Sequence, residues 1–212
     1  MLIQISLIPV PSHAGDDRHG SSAGPRRLIE AGASELLEGQ GHHVTVEVAE
    51  CPGPFRDTAS SSAAVNREVA SLVGAAIDAG RLPLVLAGSC VTCQGVLGGF
   101  DHARSGVVWI DAHADFNTPA TAASGFFPGM SLAVVTGHCY GNYWAQIGDS
   151  TPLVEENIVM FGVRDLYPEA ERERLETICD HSRPVARWQT GERHLRCARQ
   201  AGRSRRRHLS PH

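Results

Sequence analysis

The sequence predicts a three-layer α/β fold, a parallel sheet with helices on both faces, on three observations. Short apolar runs alternate with segments of helical period along most of the chain. Two of those runs, residues 82–87 and 107–111, are apolar almost throughout, as central parallel strands covered on both faces are. Each is followed by polar residues able to do chemistry, at the sheet edge where open α/β folds bind their ligands.

Taken in order, residues 2–10 alternate or run apolar and form the first strand. With no basic stretch ahead of them they do not read as a secretory signal. Pro25 follows Ser-Ser-Ala-Gly and opens a helix with Ile29, Leu36 and Leu37 on its apolar face, closed by Gly39 and Gly41. Residues 44–48 alternate with polar positions and form a second strand. Val65, Val69, Leu72, Val73, Ala76 and Ile77 make a stripe at helical spacing that Gly80 ends. The strands at 82–87 and 107–111 follow, then a strand at 158–162 and a charged surface helix at 168–178. This order implies right-handed crossovers, with no internal repeat and no interdomain linker.

At 212 residues and 42% hydrophobic, the chain is long enough for one domain with a well-buried core. A net charge of −4 argues against a nucleic-acid binder. No apolar run approaches the roughly 20 residues of a membrane span, so no membrane partner and a cytoplasmic location are expected. Cys51, Cys90, Cys93, Cys139, Cys179 and Cys197 are scattered in a way that favours free thiols or chemistry over a disulfide framework. Residues 181–212 are set apart as a tail: from Arg183 onward the chain is dense in Arg, lacks Asp and shows no apolar period. An acidic partner, a disordered end and a shifted reading frame all account for it.

The chemistry concentrates in Asp-Ala-His-Ala-Asp after the 107–111 run. Side chains two apart on an extended segment point the same way, so Asp111, His113 and Asp115 are expected to converge at the strand's C-terminal edge. Two carboxylates and an imidazole suit Mn²⁺ or a similar divalent ion. The alternative is a loop whose Asp residues cap turns.

The stretch from Asp111 to Pro119, Asp-Ala-His-Ala-Asp-Phe-Asn-Thr-Pro, is followed by Ser124-Gly125 and Gly129-Met130-Ser131-Leu132. It resembles the second signature of the arginase/agmatinase/formimidoylglutamase (ureohydrolase) family, and the order of elements up to about residue 180 is also similar. The resemblance implies a three-layer fold of the arginase type over residues 1–180, incomplete at the C-terminus. It implies metal-dependent hydrolysis of a C–N bond in a small linear guanidine or amidine, and a homo-oligomer. Two Mn²⁺ ions would activate a hydroxide, with Asp111 bridging them, His113 on one, and Asp115, also the catalytic residue, on the other. Asn117 and Ser124 fall where the family holds the substrate's amino-acid end.

Three departures qualify that expectation. Cys90, in Ala-Gly-Ser-Cys-Val, stands where the family's first signature has a histidine ligand; a thiolate there would favour a softer ion than Mn²⁺. Phe126 and Pro128 replace the Asn and His that arginases use for substrate selection and proton transfer. The last signature, Asp-x-Asp-x-x-Asp-Pro, is missing, which leaves one ion or none as an outcome. Three readings therefore stand: a hydrolase of this family, a non-catalytic metal-binding relic or binding module, and a thiol-redox protein using Cys90 and Cys93 at a helix N-terminus. For the cysteine pair, simple packing of a strand–helix turn is an alternative to ligation by Cys90. His13, Asp16, Asp17 and His19, in the loop after the first strand, are placed near the substrate or in solvent. His42, His43, His102 and His138 read as surface or satisfied residues, Trp109 as core, and Tyr140, Tyr143 and Trp144 as packing a connecting segment.

Overall fold

β1 (Gln4–Val10) lies between two parallel neighbours, β2 (His43–Val46) and β3 (Leu82–Ala87), with Ile5 opposite Val44 on one side and Leu82 on the other. These are positions in a computed structural model that describes residues 2–50, 57–101, 104–122, 124–148 and 151–181. Every residue of β1 from Ile5 to Val10 is buried, which is the reason an unbroken apolar run occurs there.

The helix expected after Pro25 is two short ones, α1 (Gly24–Glu30) and α2 (Ala33–Gly39). Gly32, in the left-handed region at φ 90, turns the chain between them. The break rotates the expected apolar face, so Leu36 is exposed while Ile29 and Leu37 are half-buried. α3 (Thr58–Asp78) starts where Asp57 accepts the Ser60 N–H at 2.8 Å, an N-cap. Of the expected stripe, Val65, Val69, Val73 and Ala76 are buried, Leu72 is half-buried and Ile77 is exposed. α4 (Thr92–Gly98) crosses α3 at Gly95, whose N–H donates to Asn66 Oδ1 at 3.0 Å. A Cβ at Gly95 would lie 2.7 Å from that of Val69, so only glycine permits this approach.

β4 (Val107–Ile110) and β5 (Ile158–Phe161) form a second parallel ladder. Among the described residues it is not joined to the first, so the expected single sheet is present as two pieces. The larger core cluster gathers around this second ladder. It takes in α5 (Ser131–Val135), all of it buried, and α6 (Gly141–Trp144). Tyr143 and Trp144 are buried as expected. Tyr143 Oη donates to Gln94 Oε1 at 2.6 Å and accepts from Asn66 Nδ2 at 3.1 Å, a buried polar network between α3, α4 and α6. Trp109 is half-buried and Tyr140 exposed.

Two expectations are corrected here. β3 and β4 were read as covered on both faces, yet Leu82, Leu84, Val108 and Ile110 are exposed. Helix α7 (Glu169–His181) was read as a surface helix, but Glu171 and Leu175 are buried against the core. Their spacing of four residues is that of an inward-facing stripe. Among the described residues no helix is long and apolar enough to cross a membrane. Cys51, His102, Cys197 and the tail from residue 182 lie outside the described residues, as does the boundary drawn before that tail.

Candidate metal centre

The Asp111 N–H donates to Phe161 O at 3.1 Å and carries the β4–β5 ladder one step past Ile110. The chain then bends, because Asp111 Oδ1 turns back to accept the His113 N–H at 3.0 Å. The extended alternation assumed from sequence therefore stops at Ile110. Asp115 is left-handed, φ 52, a costly conformation for a non-glycine residue that the surrounding hydrogen bonds hold in place. Its carbonyl accepts from the N–H groups of Leu132 (3.0 Å) and Ala133 (3.2 Å) in α5. The next residue, Phe116, donates its N–H to Glu171 Oε1 of α7 at 3.0 Å.

The three signature residues end up in different surroundings. Asp115 is buried, and its Oδ2 has no hydrogen-bond partner. Asp111 is partly exposed, with His113 Nδ1 3.3 Å from its Oδ1. His113 is largely exposed, and its Nε2 lies 3.7 Å from Asp165 Oδ2. Cys90, in the turn between β3 and α4, brings Sγ to 3.9 Å from Asp111 Oδ2, so the ends of the two ladders meet at this site.

The electrostatics follow from that crowding. Burial, then the neighbouring Asp111 charge, pushes the Asp115 carboxyl up to about 7. Burial and the charges of Asp115 and Asp111 push the Cys90 thiol up to about 12, and burial raises Cys93 as well. A redox-active Cys-x-x-Cys needs a depressed thiol pKa. The raised values run the other way and lend the thiol-redox reading no support.

An orphaned buried carboxylate oxygen, a second carboxylate whose charge raises the first, and a thiol raised by both charges fit a cation in donor chemistry and in charge. The side chains are not preassembled, however: among the described residues no three His, Cys, Asp or Glu are arranged to hold an ion.

Beside this centre lies a cavity of about 790 Å³ lined by His13, Asp16, Asp17, Arg18, Asp57, Ser124, Phe126 and Tyr140. His13 stacks on His19 at 3.8 Å and approaches Gly88 O at 3.4 Å, which ties the loop after β1 to the turn after β3. Gly88 permits this closeness, since a Cβ there would lie 2.6 Å from Ser12 O. Ser124 is thus at the cavity, with its Oγ accepting the Phe126 N–H at 3.3 Å. Asn117 is engaged at both ends of its amide, donating to Tyr167 O and accepting from Thr121 Oγ1, both at 3.0 Å. Sequence reasoning missed Glu171 and Asp165. The Glu171–Leu175–Ile178 spacing was the available signal for the first; nothing local marked the second.

The arginase family's sequence profile matches residues 3–195. The chain is 35% identical over 185 residues to the arginase of Brevibacillus brevis, covering 82% of this chain and 61% of that one. To rabbit (Oryctolagus cuniculus) arginase-1 it is 34% identical over 180 residues, covering 77% and 55%. The solved structure of Bacillus cereus arginase superposes with a TM-score of 0.75 at 32% identity, over 88% of this chain and 64% of that one. The chain thus spans about three fifths of the length of these relatives. With parallel strands ending at a shared carboxylate-bearing edge, flanking helices and a profile match over most of its length, the chain belongs to the arginase family.

Proposed function

We propose that this chain provides the carboxylate-bearing part of a metal-dependent ureohydrolase, which cleaves a C–N bond in a small linear guanidine or amidine. Asp111, Asp115 and Cys90 would hold the metal, with His113 swinging from Asp165 to join them. When bound, manganese would supply a nucleophilic hydroxide near neutral pH. Asp115 would be the catalytic residue of this reading, holding the metal as its carboxylate. Ser124, at the cavity, and Asn117 would position the substrate's far end. A cytoplasmic homo-oligomer belongs to the same reading.

The observation that carries it is the buried, unpaired Oδ2 of Asp115, strained in backbone and raised to about 7 beside a second carboxylate. A buried anion in that state is costly unless a cation joins it. The test is Mn²⁺ binding by calorimetry, with the wild type against Asp115→Asn. Binding that weakens as pH falls below 7, and that the variant lacks, is the expected result. No divalent ion retained by either protein after reconstitution would refute the reading.

A second reading, a non-catalytic relic or binding module, draws support from the lack of a preassembled set of three ligands. Release of urea or ammonia from a panel of guanidino and amidino compounds by the Mn²⁺-loaded chain would end it.

A further inference from the structure

The loop after β1 holds two imidazoles that the metal centre does not use. His13, half-buried, lines the cavity, and His19, exposed, stacks on it with ring centroids 3.8 Å apart. The backbone around them is pinned. His13 and Asp16 exchange both backbone hydrogen bonds, at 2.8 and 3.0 Å, and Ser22 Oγ donates to Asp16 O at 2.5 Å.

One hydroxyl links the two rings. Ser21 Oγ lies 3.0 Å from His13 Nδ1 and 2.9 Å from His19 Nδ1. The outer neighbours assign the protons. His13 Nδ1 is also 3.4 Å from Gly88 O, and a carbonyl only accepts, so this nitrogen carries its hydrogen. His19 Nδ1 accepts the Ser21 N–H at 3.3 Å, and a backbone N–H only donates, so this nitrogen carries none. The Ser21 hydroxyl then has one consistent role, accepting from His13 and donating to His19. His13 keeps a lone pair on Nε2, and His19 keeps its hydrogen on Nε2. When His13 Nε2 takes a proton, shifting each hydrogen one place along this chain passes the charge to His19. His19 Nε2 then releases it to solvent. Two stacked imidazolium ions would repel, so the pair carries one extra proton at a time.

We propose that His13, Ser21 and His19 form a proton relay between the cavity and solvent, with His13 the general acid and base toward a ligand in the cavity. Its use in catalysis rests on the hydrolase reading. In that reaction a C–O bond to water forms and the C–N bond breaks, its electron pair going to nitrogen, which takes the proton on His13 Nε2. The amine gains as many protons as the attacking water gives up, so the relay restores His13 and no further reactant is consumed. The other titratable or charged groups at this cavity are Asp16, Asp17 and Arg18 on the loop itself, Asp57 at the start of α3, and Tyr140.

The experiment labels the histidines of the full chain isotopically and reads their tautomers by nitrogen NMR in EDTA, at about pH 8, where ordinary imidazole is neutral. His13 is expected in the Nδ1–H form and His19 in the Nε2–H form. Ser21→Ala should admit the Nε2–H form at His13 and leave His19, held by the backbone, unchanged. Urea release from arginine and butylguanidine is then followed in the Mn²⁺-loaded chain. His13→Gln should lower kcat on the order of 10²-fold with KM little changed, and added imidazole should restore much of it. A merely structural defect would not respond to imidazole. The relay is overturned by His13 in the Nε2–H form, by His19 in the Nδ1–H form, or by a His13→Gln loss that imidazole leaves untouched. A wild-type chain that releases no urea overturns the hydrolase reading instead, and the tautomers, read without metal, then decide the relay alone.

Discussion

The loop from Ala112 to Met130 and the strand β4 that delivers it are adjacent in sequence and opposite in finish. In the loop, Ala114, Asp115, Phe116 and Asn117 are buried, and their backbone groups bond to α5, to α7 and to the Gly129 carbonyl. In the strand, every second side chain is an exposed aliphatic, and among the described residues β4 pairs only with β5. The site-bearing loop is therefore held by helices packed behind it rather than by a completed sheet. Substitutions behind the loop should matter far more than substitutions on the open strand face, although both regions are apolar.

The largest contrast comes from Trp144, buried within the cluster that supports the loop. Trp144→Ala should lose about 3–5 kcal/mol in urea denaturation. A loss below 1 kcal/mol would mean that the loop is not supported from that side.

The next effect is on pH. The raised Asp115 pKa means that the folded chain holds this proton more tightly than the unfolded chain, whose carboxyl titrates near 3.8. That stabilisation is complete at acid pH and is lost as pH rises through about 7. In EDTA, thermal melts should show stability falling across this window, on the order of 2–4 kcal/mol in all. Asp115→Asn should flatten the profile. An unchanged slope would place the titration elsewhere.

Smaller again is Glu171→Leu, which leaves the buried Phe116 N–H without its acceptor at about 1–3 kcal/mol. Glu171→Gln retains an acceptor oxygen and should recover most of that loss in the same denaturation assay. Least of all, Val108→Ser on the open face of β4 should stay within about 0.5 kcal/mol. A larger loss from Val108→Ser would show that this face is covered in solution.

Much of this was legible in the residues. The parallel α/β class, the limits of β3, the buried stripe of α3 and the family likeness all follow from periodicity and from one nine-residue stretch. Three features were not legible. The split between α1 and α2 depends on the backbone of Gly32, which no apolar period records. The inward face of α7 was masked by its high charge, since the buried Glu171 takes its place there by accepting the Phe116 N–H. The alternation argument at Asp111, His113 and Asp115 assumed an extended chain, and the Asp111 turn and the left-handed Asp115 end that extension.

The sequence by itself determined which groups gather at the sheet edge, because strand and helix periods and donor chemistry are local properties. Only the tertiary structure decided their states. It buried Asp115 with its Oδ2 unpaired, turned His113 toward Asp165 and set Cys90 against Asp111. It also left Leu82, Leu84, Val108 and Ile110 exposed, although both runs read as central strands. Burial, charge and edge pairing depend on what lies across space from a residue, and distant segments of the chain set that neighbourhood.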